Sequence, residues 1–281
     1  MKLSHILMLS ATALFSLAAC DTIDESERFE GPFGGGGDSE IVTVKKNVLI
    51  EDFTGQKCIN CPLAHKEIEE LHDAYGADRV IAVALHGGPQ AVEGKKGLAN
   101  EESKEYNNRL NIPAWPMGRI DRQGGLQDFE KWLAGVAGRI DLSAKADIAL
   151  QHVAYDADAR QISFEAQVKG FDVLDGNLQV WLTESQIVAP QDMPSGKPEL
   201  FPDFPNGGRD KNYVHNHVFR ATVNGMDGDA LHLDKDQTVT KAYTYTLPAG
   251  ATWNAEHMAL VVFYYNASGV QQVVEVPVVK K

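Results

Sequence analysis

Residues 47–62 read NVLIEDFTGQKCINCP. The apolar run at 48–50 predicts a buried strand. Cys58 and Cys61 follow that strand closely, and Pro62 suits the first turn of a helix, where the N–H that proline lacks would have no partner. This stretch therefore predicts a CxxC motif at the junction between a strand and a helix.

The elements around this junction predict an α/β segment at 47–141. A helix is expected at 62–75 because its apolar residues recur at helical spacing, and the nearly continuous apolar run at 79–85 predicts a second, buried strand. The sequence then predicts a helix at 98–110, a short strand at 117–121 and a helix at 126–140. The order β-α-β-α-β-α is typical of helices that cover a small sheet.

From residue 142 onward the sequence predicts an all-β segment, 142–281, with the architecture of a β-sandwich. A long loop is expected at 190–211, because this stretch holds five prolines and three glycines. The predicted strands lie at 146–155, 161–168, 178–187, 213–223, 238–247, 258–265 and 270–279.

The N-terminal residues have the layout of an export signal. Lys2 precedes an apolar stretch that ends in Leu-Ala-Ala-Cys at 17–20, which resembles the lipobox of bacterial lipoproteins. That resemblance implies that the signal peptide, 1–19, is removed and that Cys20 carries acyl chains such as palmitate. The acidic, glycine-rich stretch at 20–46 then predicts a flexible tether. An ordinary secreted protein with a cysteine at this place is the alternative.

Composition limits the functions that the chain can have. At 281 residues it is long enough for two domains of about 150 residues each. Its net charge of −13 argues against nucleic acid as a partner, because binding to phosphates needs clustered Lys and Arg. Three cysteines are too few for a disulfide-rich scaffold, so buried cores must stabilise the fold.

The CxxC motif is the strongest chemical signal in the sequence. A helix N-terminus stabilises a thiolate, which is the nucleophilic form of cysteine, and the neighbouring Lys57 would lower the pKa of Cys58 further. In this geometry Cys58 attacks and Cys61, one turn into the helix, resolves the mixed disulfide. A structural disulfide, a metal half-site and an inert thiol pair are the alternatives.

The stretch at 49–62 resembles the active-site region of thioredoxin-like proteins, and residues 112–117, IPAWPM, form a second match. The resemblance implies that Pro116 follows a cis peptide bond and faces the CxxC motif. It also implies that Asp52 is the buried carboxylate of the site, and that Trp115 and Pro116 present backbone to a substrate chain. With Trp115, Lys57 and His86 are the residues that we expect to bind the substrate. Lys57 stands where thioredoxins have Trp, which leaves the reduction potential open.

A narrower resemblance covers the mature chain. The lipobox, EDFTG at 51–55 and YVHNHVFR at 213–220 are similar to the outer-membrane-protein-28-related lipoproteins of Bacteroidetes. That family implies an outer-membrane location and a thioredoxin-like domain followed by an immunoglobulin-like sandwich. It implies no settled activity.

Histidines supply weaker signals. His86 ends the second predicted strand, at the sheet edge where ligands bind in open α/β sheets, so it is a candidate proton shuttle near Cys58, or else an ordinary loop histidine. His215 and His217 alternate on a predicted strand and would share a face, which suits either a metal or structural hydrogen bonds. Because no third ligand is identifiable, we predict no metal centre and no cofactor.

Two functional hypotheses follow. The first is a lipid-anchored thiol–disulfide oxidoreductase of the outer membrane, on its periplasmic or surface face, that acts on cysteine-containing envelope proteins. The second is a surface lipoprotein that binds ligands or adheres through its β-sandwich, with a non-catalytic thioredoxin-like scaffold. A Cys58 buried under the 190–211 segment would favour the second hypothesis.

Overall fold

The strand that precedes the CxxC motif lies near one edge of an eight-stranded sheet. The computed structural model describes residues 44–280, so the predicted signal peptide, Cys20 and nearly all of the predicted tether lie outside the described residues. The described helices are α1 (Cys61–Tyr75), α2 (Glu101–Leu110) and α3 (Trp132–Ala137). The described strands are β1 (Val48–Thr54), β2 (Val80–His86), β3 (Met117–Ile120), β4 (Ala146–Asp156), β5 (Gln161–Gly170), β6 (Leu174–Glu184), β7 (Ile187–Ser195), β8 (Asn206–His215), β9 (Val218–Thr222), β10 (Asp229–Leu233), β11 (Thr238–Thr246), β12 (Met258–Asn266) and β13 (Gly269–Pro277).

Strands from both predicted segments share the large sheet. Its order is β13-β12-β6-β9-β2-β1-β3, with β10 paired to β6. β1 and β2 are parallel, and β3 is antiparallel to β1. β9 joins the halves, because it pairs with β6 and also meets β2 where Val218 lies opposite Ala84. The division between 141 and 142 stays a prediction, and backbone hydrogen bonds cross it.

The cores lie on the two faces of this sheet. One core fills the space between the β6–β12 region and a three-stranded sheet, β11-β5-β4, with Phe164, Leu182 and Leu260 among its buried members. A second core lies between β1, β2 and the helices α1 and α3. The structure thus has helices and a sheet near its start and several packed sheets afterwards, which confirms the coarse fold prediction. The thioredoxin-like and immunoglobulin-like assignments stay predictions.

The prediction of a loop at 190–211 is wrong. Most of this stretch lies in β7 and β8, which form a separate two-stranded antiparallel sheet. Proline is tolerated in strands at bulges and edges, and Pro190 lies where the register between β7 and β8 shifts. Prolines that usually exclude a strand are therefore accommodated here by an irregular ladder.

Other boundaries also differ from the predictions. The predicted strand at 178–187 ends at Glu184, and Gln186 has a positive φ of 59°. The predicted strand at 213–223 is broken at His217, which has a φ of 54°. The short strand β10 had no predicted counterpart, and the last predicted helix, at 126–140, is shorter. Among residues 44–280, no helix has the length and apolar character that crossing a membrane requires.

Trp181 on β6 belongs to the core that joins the two halves of the chain. Its fully buried ring packs against Tyr106 of α2 and Phe219 of β9, at centroid distances of 5.2 and 5.4 Å. Its indole N–H donates to the Tyr106 hydroxyl at 3.1 Å. Side chains from before and after residue 141 therefore contact each other directly.

We expect Trp181→Ala to lower the free energy of unfolding by about 3–5 kcal/mol, because it empties a large buried volume. Hydrogen exchange should show that amides of β1 and of β12 lose protection together. Leu133→Ala, at a half-exposed position of α3, serves as the control and should leave both sets nearly unchanged. If the β1 amides kept their protection while the β12 amides lost theirs, the two parts of the chain would not share this core.

Candidate functional site

Cys58 and Cys61 lie at the start of α1 and are joined by a disulfide, with their Cα atoms 5.4 Å apart. β1 ends at Thr54, a short turn follows, and Cys61 is the first residue of the helix. The backbone N–H of Cys61 donates to the Cys58 Sγ at 3.1 Å. This N–H is one of those that a helix start leaves without an intrahelical partner, so the helix end stabilises negative charge on the sulfur.

Pro116 lies at the same end of β1. The peptide bond between Trp115 and Pro116 is cis, and Met117 pairs with Phe53 near the end of β1. The Trp115 indole donates to the Asn107 side chain at 3.1 Å, which fixes the ring beside this turn. The structure therefore places Trp115 and Pro116 next to the end of the strand that leads into the CxxC turn.

The two sulfur-bearing residues are covered. Cys58 is 4% exposed and Cys61 is fully buried, whereas Lys57 and Ile59 on either side of Cys58 are exposed. The charged Lys57 thus lies on the surface above the pair. A reagent or a protein substrate that approaches from this surface must displace other groups to reach the Cys58 sulfur.

Residues 190–192 of β7, which we call the cap, are hydrogen-bonded to the CxxC turn. The Gln191 side-chain amide donates to the Cys58 carbonyl at 2.9 Å, and the Asp192 N–H donates to the Gln56 carbonyl at 2.8 Å. Gln191 is fully buried. The cap thus lies against the CxxC turn in an extended conformation and uses backbone carbonyls of the turn as acceptors.

Gln56 strengthens this contact and was not predicted as a site residue. Its buried amide donates to the Pro190 and Lys96 carbonyls at 3.0 and 2.9 Å, and its side-chain oxygen accepts the Leu98 N–H at 3.0 Å. One side chain therefore ties the CxxC turn to the cap and to a second loop. Nothing in the local sequence distinguishes this glutamine, because its partners come from distant positions.

Asp52 of β1 is a buried carboxyl whose lost hydration is not replaced by a hydrogen bond to any described residue. It is fully buried, and neither of its oxygens has a hydrogen-bond partner among the described residues. Burial disfavours the charged form and raises the pKa of Asp52 to about 8. The Nε2 of His65 lies 3.6 Å from the Asp52 Oδ2. Asp52 is therefore protonated at neutral pH and titrates in a range that suits proton transfer.

The neighbouring Glu51 points to the opposite face of β1 and has a different environment. Arg119 donates to it at 2.6 and 3.0 Å, and Arg122 donates at 3.0 Å. Burial alone would raise the pKa of Glu51. The positive charges of Arg122 and Arg119 together hold that pKa below its usual range. Glu51 is therefore a permanently charged structural group, which leaves Asp52 as the titrating carboxyl of β1.

His65, which lies beside Asp52 and is 17% exposed, is in contact with a buried histidine, His215, which in turn contacts the buried His86. The rings of His65 and His215 are 6.5 Å apart, and those of His86 and His215 are 5.6 Å apart. Burial lowers the pKa of His65 to about 3 and that of His215 to about 4, and it also lowers the pKa of His86 well below the usual value. All three imidazoles are therefore neutral at physiological pH.

The structure confirms one histidine prediction and corrects another. His86 ends β2, as predicted, pairs with Thr54 of β1 and faces His215, so it is a buried strand residue and not the loop histidine of the alternative. His217 lies beyond β8 and packs against His72 at 5.5 Å, so it does not share a face with His215. Within residues 44–280, no group of three or more His, Cys, Asp and Glu side chains is arranged to hold a metal ion.

Residues 103–281 match the family described as outer membrane protein Omp28, which is more than half of the chain. Among solved structures, HBP35 of Porphyromonas gingivalis superposes with a TM-score of 0.61 at 18% identity, over 83% of this chain and 75% of that chain. At this identity the likeness concerns the fold alone. No curated protein matches the chain significantly.

Two further solved structures superpose less well. A domain of the outer membrane lipoprotein Omp28 from Porphyromonas gingivalis has a TM-score of 0.31 at 22% identity, over 47% of this chain and 94% of that chain. Spo0M, a sporulation control protein from Bacillus subtilis, has a TM-score of 0.30 at 16% identity, over 48% of each chain. At these scores neither superposition supports an argument about this chain.

The raised pKa of Asp52 predicts a specific pH dependence of stability. Between pH 3.8 and about 8 the carboxyl keeps its proton in the folded state but loses it in the unfolded chain. The folded state should therefore lose about 1.4 kcal/mol per pH unit across that window from this group. Asp52→Asn removes this slope, so its stability gain over wild type should grow from pH 5 to pH 8 in urea unfolding of the oxidised chain. A gain that is constant with pH would contradict the assignment.

The cap contacts predict how fast Cys58 reacts. We expect Gln191→Ala to raise the rate of Cys58 alkylation by iodoacetamide, after mild reduction, about tenfold, because it removes hydrogen bonds worth about 0.5–1.5 kcal/mol each and favours the uncovered form. Gln151→Ala, on the exposed face of β4, is the matched control and should react like wild type. Equal rates in all three proteins would show that the cap does not limit access.

Proposed function

The chain belongs to the Omp28 family of outer membrane proteins, and from that membership we propose that it is a lipid-anchored protein whose Cys58–Cys61 pair exchanges disulfides with cysteine-containing envelope proteins. The family confirms the predicted location at the outer membrane. The anchor is Cys20, followed by the tether at 20–46. Such an anchor keeps the folded part close to other envelope proteins while leaving it free to reach them.

The uncompensated burial of Asp52 is the observation that carries this proposal. A disulfide that only stabilises the fold gains nothing from a buried carboxyl without a hydrogen bond, and that carboxyl lowers stability at neutral pH. Groups whose pKa values are strongly displaced by burial concentrate at functional sites. Because disulfide exchange moves protons as well as electrons, a buried carboxyl that titrates near neutral pH, on the strand that leads into the CxxC turn, suits that reaction.

The local topology supports a thioredoxin-like assignment for 47–141. A parallel β1–β2 pair, a CxxC turn that opens α1 and a cis proline at the neighbouring strand occur together, as the resemblance implies. In this assignment Cys58 is the nucleophile, Cys61 resolves the mixed disulfide, and Asp52 exchanges the proton. Lys57 and Trp115, which flank the covered sulfurs, contact the substrate chain together with Pro116. His86 is assigned to the buried histidine group and not to the substrate.

The reaction balances in atoms and electrons. In the reduction of a protein disulfide, the Cys58 thiolate attacks one substrate sulfur, and the other leaves as a thiolate that takes a proton. Asp52 first loses its proton to solvent and then accepts the proton of Cys61. The Cys61 thiolate attacks Cys58, so that the Cys58–Cys61 bond forms and the second substrate sulfur leaves as a thiolate, which takes a proton from water. Because Cys58 is 4% exposed, the cap must be displaced before the first attack.

A second candidate function is favoured by the cap itself. A Cys58 held under residues 190–192 by several hydrogen bonds fits a surface lipoprotein in which the disulfide only fixes a turn. In that case 47–141 is a scaffold, and the β-rich remainder, assigned as an immunoglobulin-like sandwich, binds surface ligands. The two functions differ in whether Cys58 ever reacts with a protein substrate.

Insulin reduction by the full chain, purified in detergent with dithiothreitol as the reductant, separates the two functions. We expect wild type to accelerate insulin reduction and Cys58→Ser to give the uncatalysed rate, because the attacking sulfur is lost. Cys20→Ser is a matched cysteine-to-serine control that should lose the lipid and keep the activity. Equal rates for wild type and Cys58→Ser would reject the oxidoreductase and leave the binding lipoprotein.

A further inference from the structure

Asp52 is sealed from solvent, so its proton needs a route. The carboxyl is fully buried, and Cys61, which begins the helix that carries His65, is fully buried as well. A group that changes protonation during turnover must exchange its proton with solvent once in each cycle. The structure therefore has to provide a chain of groups that can accept and donate a proton between Asp52 and the surface.

His65 is placed to begin such a chain. It lies four residues after Cys61 on α1, so both side chains occupy the same face of the helix. Its Nε2 is 3.6 Å from the Asp52 Oδ2 and 3.4 Å from the Thr54 hydroxyl. Catalytic hydrogen bonds are often long in the resting state and shorten during reaction, so this separation suits a transfer that occurs only when charge develops.

Tyr213 of β8 continues the chain outward. Its hydroxyl oxygen is 2.8 Å from the other ring nitrogen of His65, Nδ1. Tyr213 and His65 are both partly exposed, unlike Asp52 and Cys61. A single imidazole thus connects a buried carboxyl on one side with the hydroxyl of a partly exposed tyrosine on the other.

We propose that His65 and Tyr213 form a proton relay that connects the Asp52 carboxyl with solvent while the Cys58–Cys61 disulfide is reduced or formed. The relay rests on the proposed function and assigns two residues to it, one of which comes from the β-rich part of the chain. Neither residue touches the substrate, so both act through Asp52.

Each transfer in the relay balances. When an external dithiol reduces the pair, its thiolate attacks Cys58, and the broken bond leaves its electron pair on Cys61. The second thiolate of the dithiol then displaces Cys58 as a thiolate and closes the dithiol's own disulfide. The Cys61 thiolate takes the proton of Asp52. A proton from water then passes to the Tyr213 oxygen as the Tyr213 O–H proton moves to His65 Nδ1 and the Nε2 proton moves to Asp52. Oxidation of the pair runs the same transfers in reverse.

The groups around the relay favour a proton transfer in which neither His65 nor Tyr213 stays ionised. Burial, followed by His215, His217 and Lys66, keeps the pKa of His65 at about 3, so the ring stays neutral and must release one proton as it accepts another. Burial, followed by Glu69, Asp52 and Asp210, raises the pKa of Tyr213, so the hydroxyl passes a proton on without remaining ionised. The pair therefore acts as a conduit, whereas Asp52 holds the proton.

The test uses the full chain in detergent, first reduced, and follows the oxidation of its Cys58–Cys61 pair by oxidised glutathione from pH 6 to pH 10. We expect Tyr213→Phe and His65→Gln to slow oxidation at least about tenfold below pH 8, where Asp52 must first release its proton through the relay, and to approach wild type above pH 9, where Asp52 is already ionised. The equilibrium with glutathione should be unchanged, because a relay alters rates only. Tyr75→Phe, at the far end of α1, is the matched control and should behave like wild type.

Two outcomes overturn the relay. One is a Tyr213→Phe chain that reacts like wild type at every pH. The other is a loss of rate accompanied by an equal shift of the glutathione equilibrium, which indicates a structural change. Because oxidised glutathione replaces the protein substrate, the relay is judged even where insulin reduction fails, and that failure rejects only the proposed function. Circular dichroism of each variant identifies any chain that has not folded.

Discussion

The short pairing of β9 with β2 is the contact on which the arrangement of the site depends. Ala84 and Val218 meet there, and β9 then runs antiparallel to β6. Since β8 ends just before β9 begins, this pairing also determines where the β7–β8 hairpin lies, namely against α1 and the CxxC turn. A local motif thereby acquires contacts from Gln191, which is 133 residues beyond Cys58 in the chain.

Adjacent carboxyl groups on β1 differ in chemistry because successive side chains of a strand point to opposite faces. Glu51 faces Arg119 and Arg122, whose charges compensate its desolvation, so it stays ionised. Asp52 faces α1, where the neutral His65 lies 3.6 Å away and supplies no positive charge, so desolvation dominates. One strand therefore carries a fixed anion and a group that changes protonation near neutral pH, and only the latter can move protons.

The strand, the CxxC turn and the helix were predictable from the sequence because their signals are local: an apolar run, two cysteines and Pro62 at a helix start. The β7–β8 hairpin was not, since Pro190 argues against a strand unless a register shift accommodates it. His65 gave no signal either, because its partner Tyr213 lies 148 residues away. Sequence analysis missed the site residues whose roles depend on contacts between the two parts of the chain that β9 joins.

Different parts of the β7–β8 hairpin cover Cys58 and carry the proton to and from Asp52. Tyr213 pairs with Ala189 at the base of the hairpin, whereas the cap residues Gln191 and Asp192 pair nearer its tip. The register shift at Pro190 lies between these two parts, and a bulge is where a ladder bends most easily. Lifting the tip away from the CxxC turn therefore does not require the base to move. Access to the sulfur and protonation of Asp52 thus depend on different ends of one two-stranded sheet, which allows a substrate to displace the cap while the proton path stays intact.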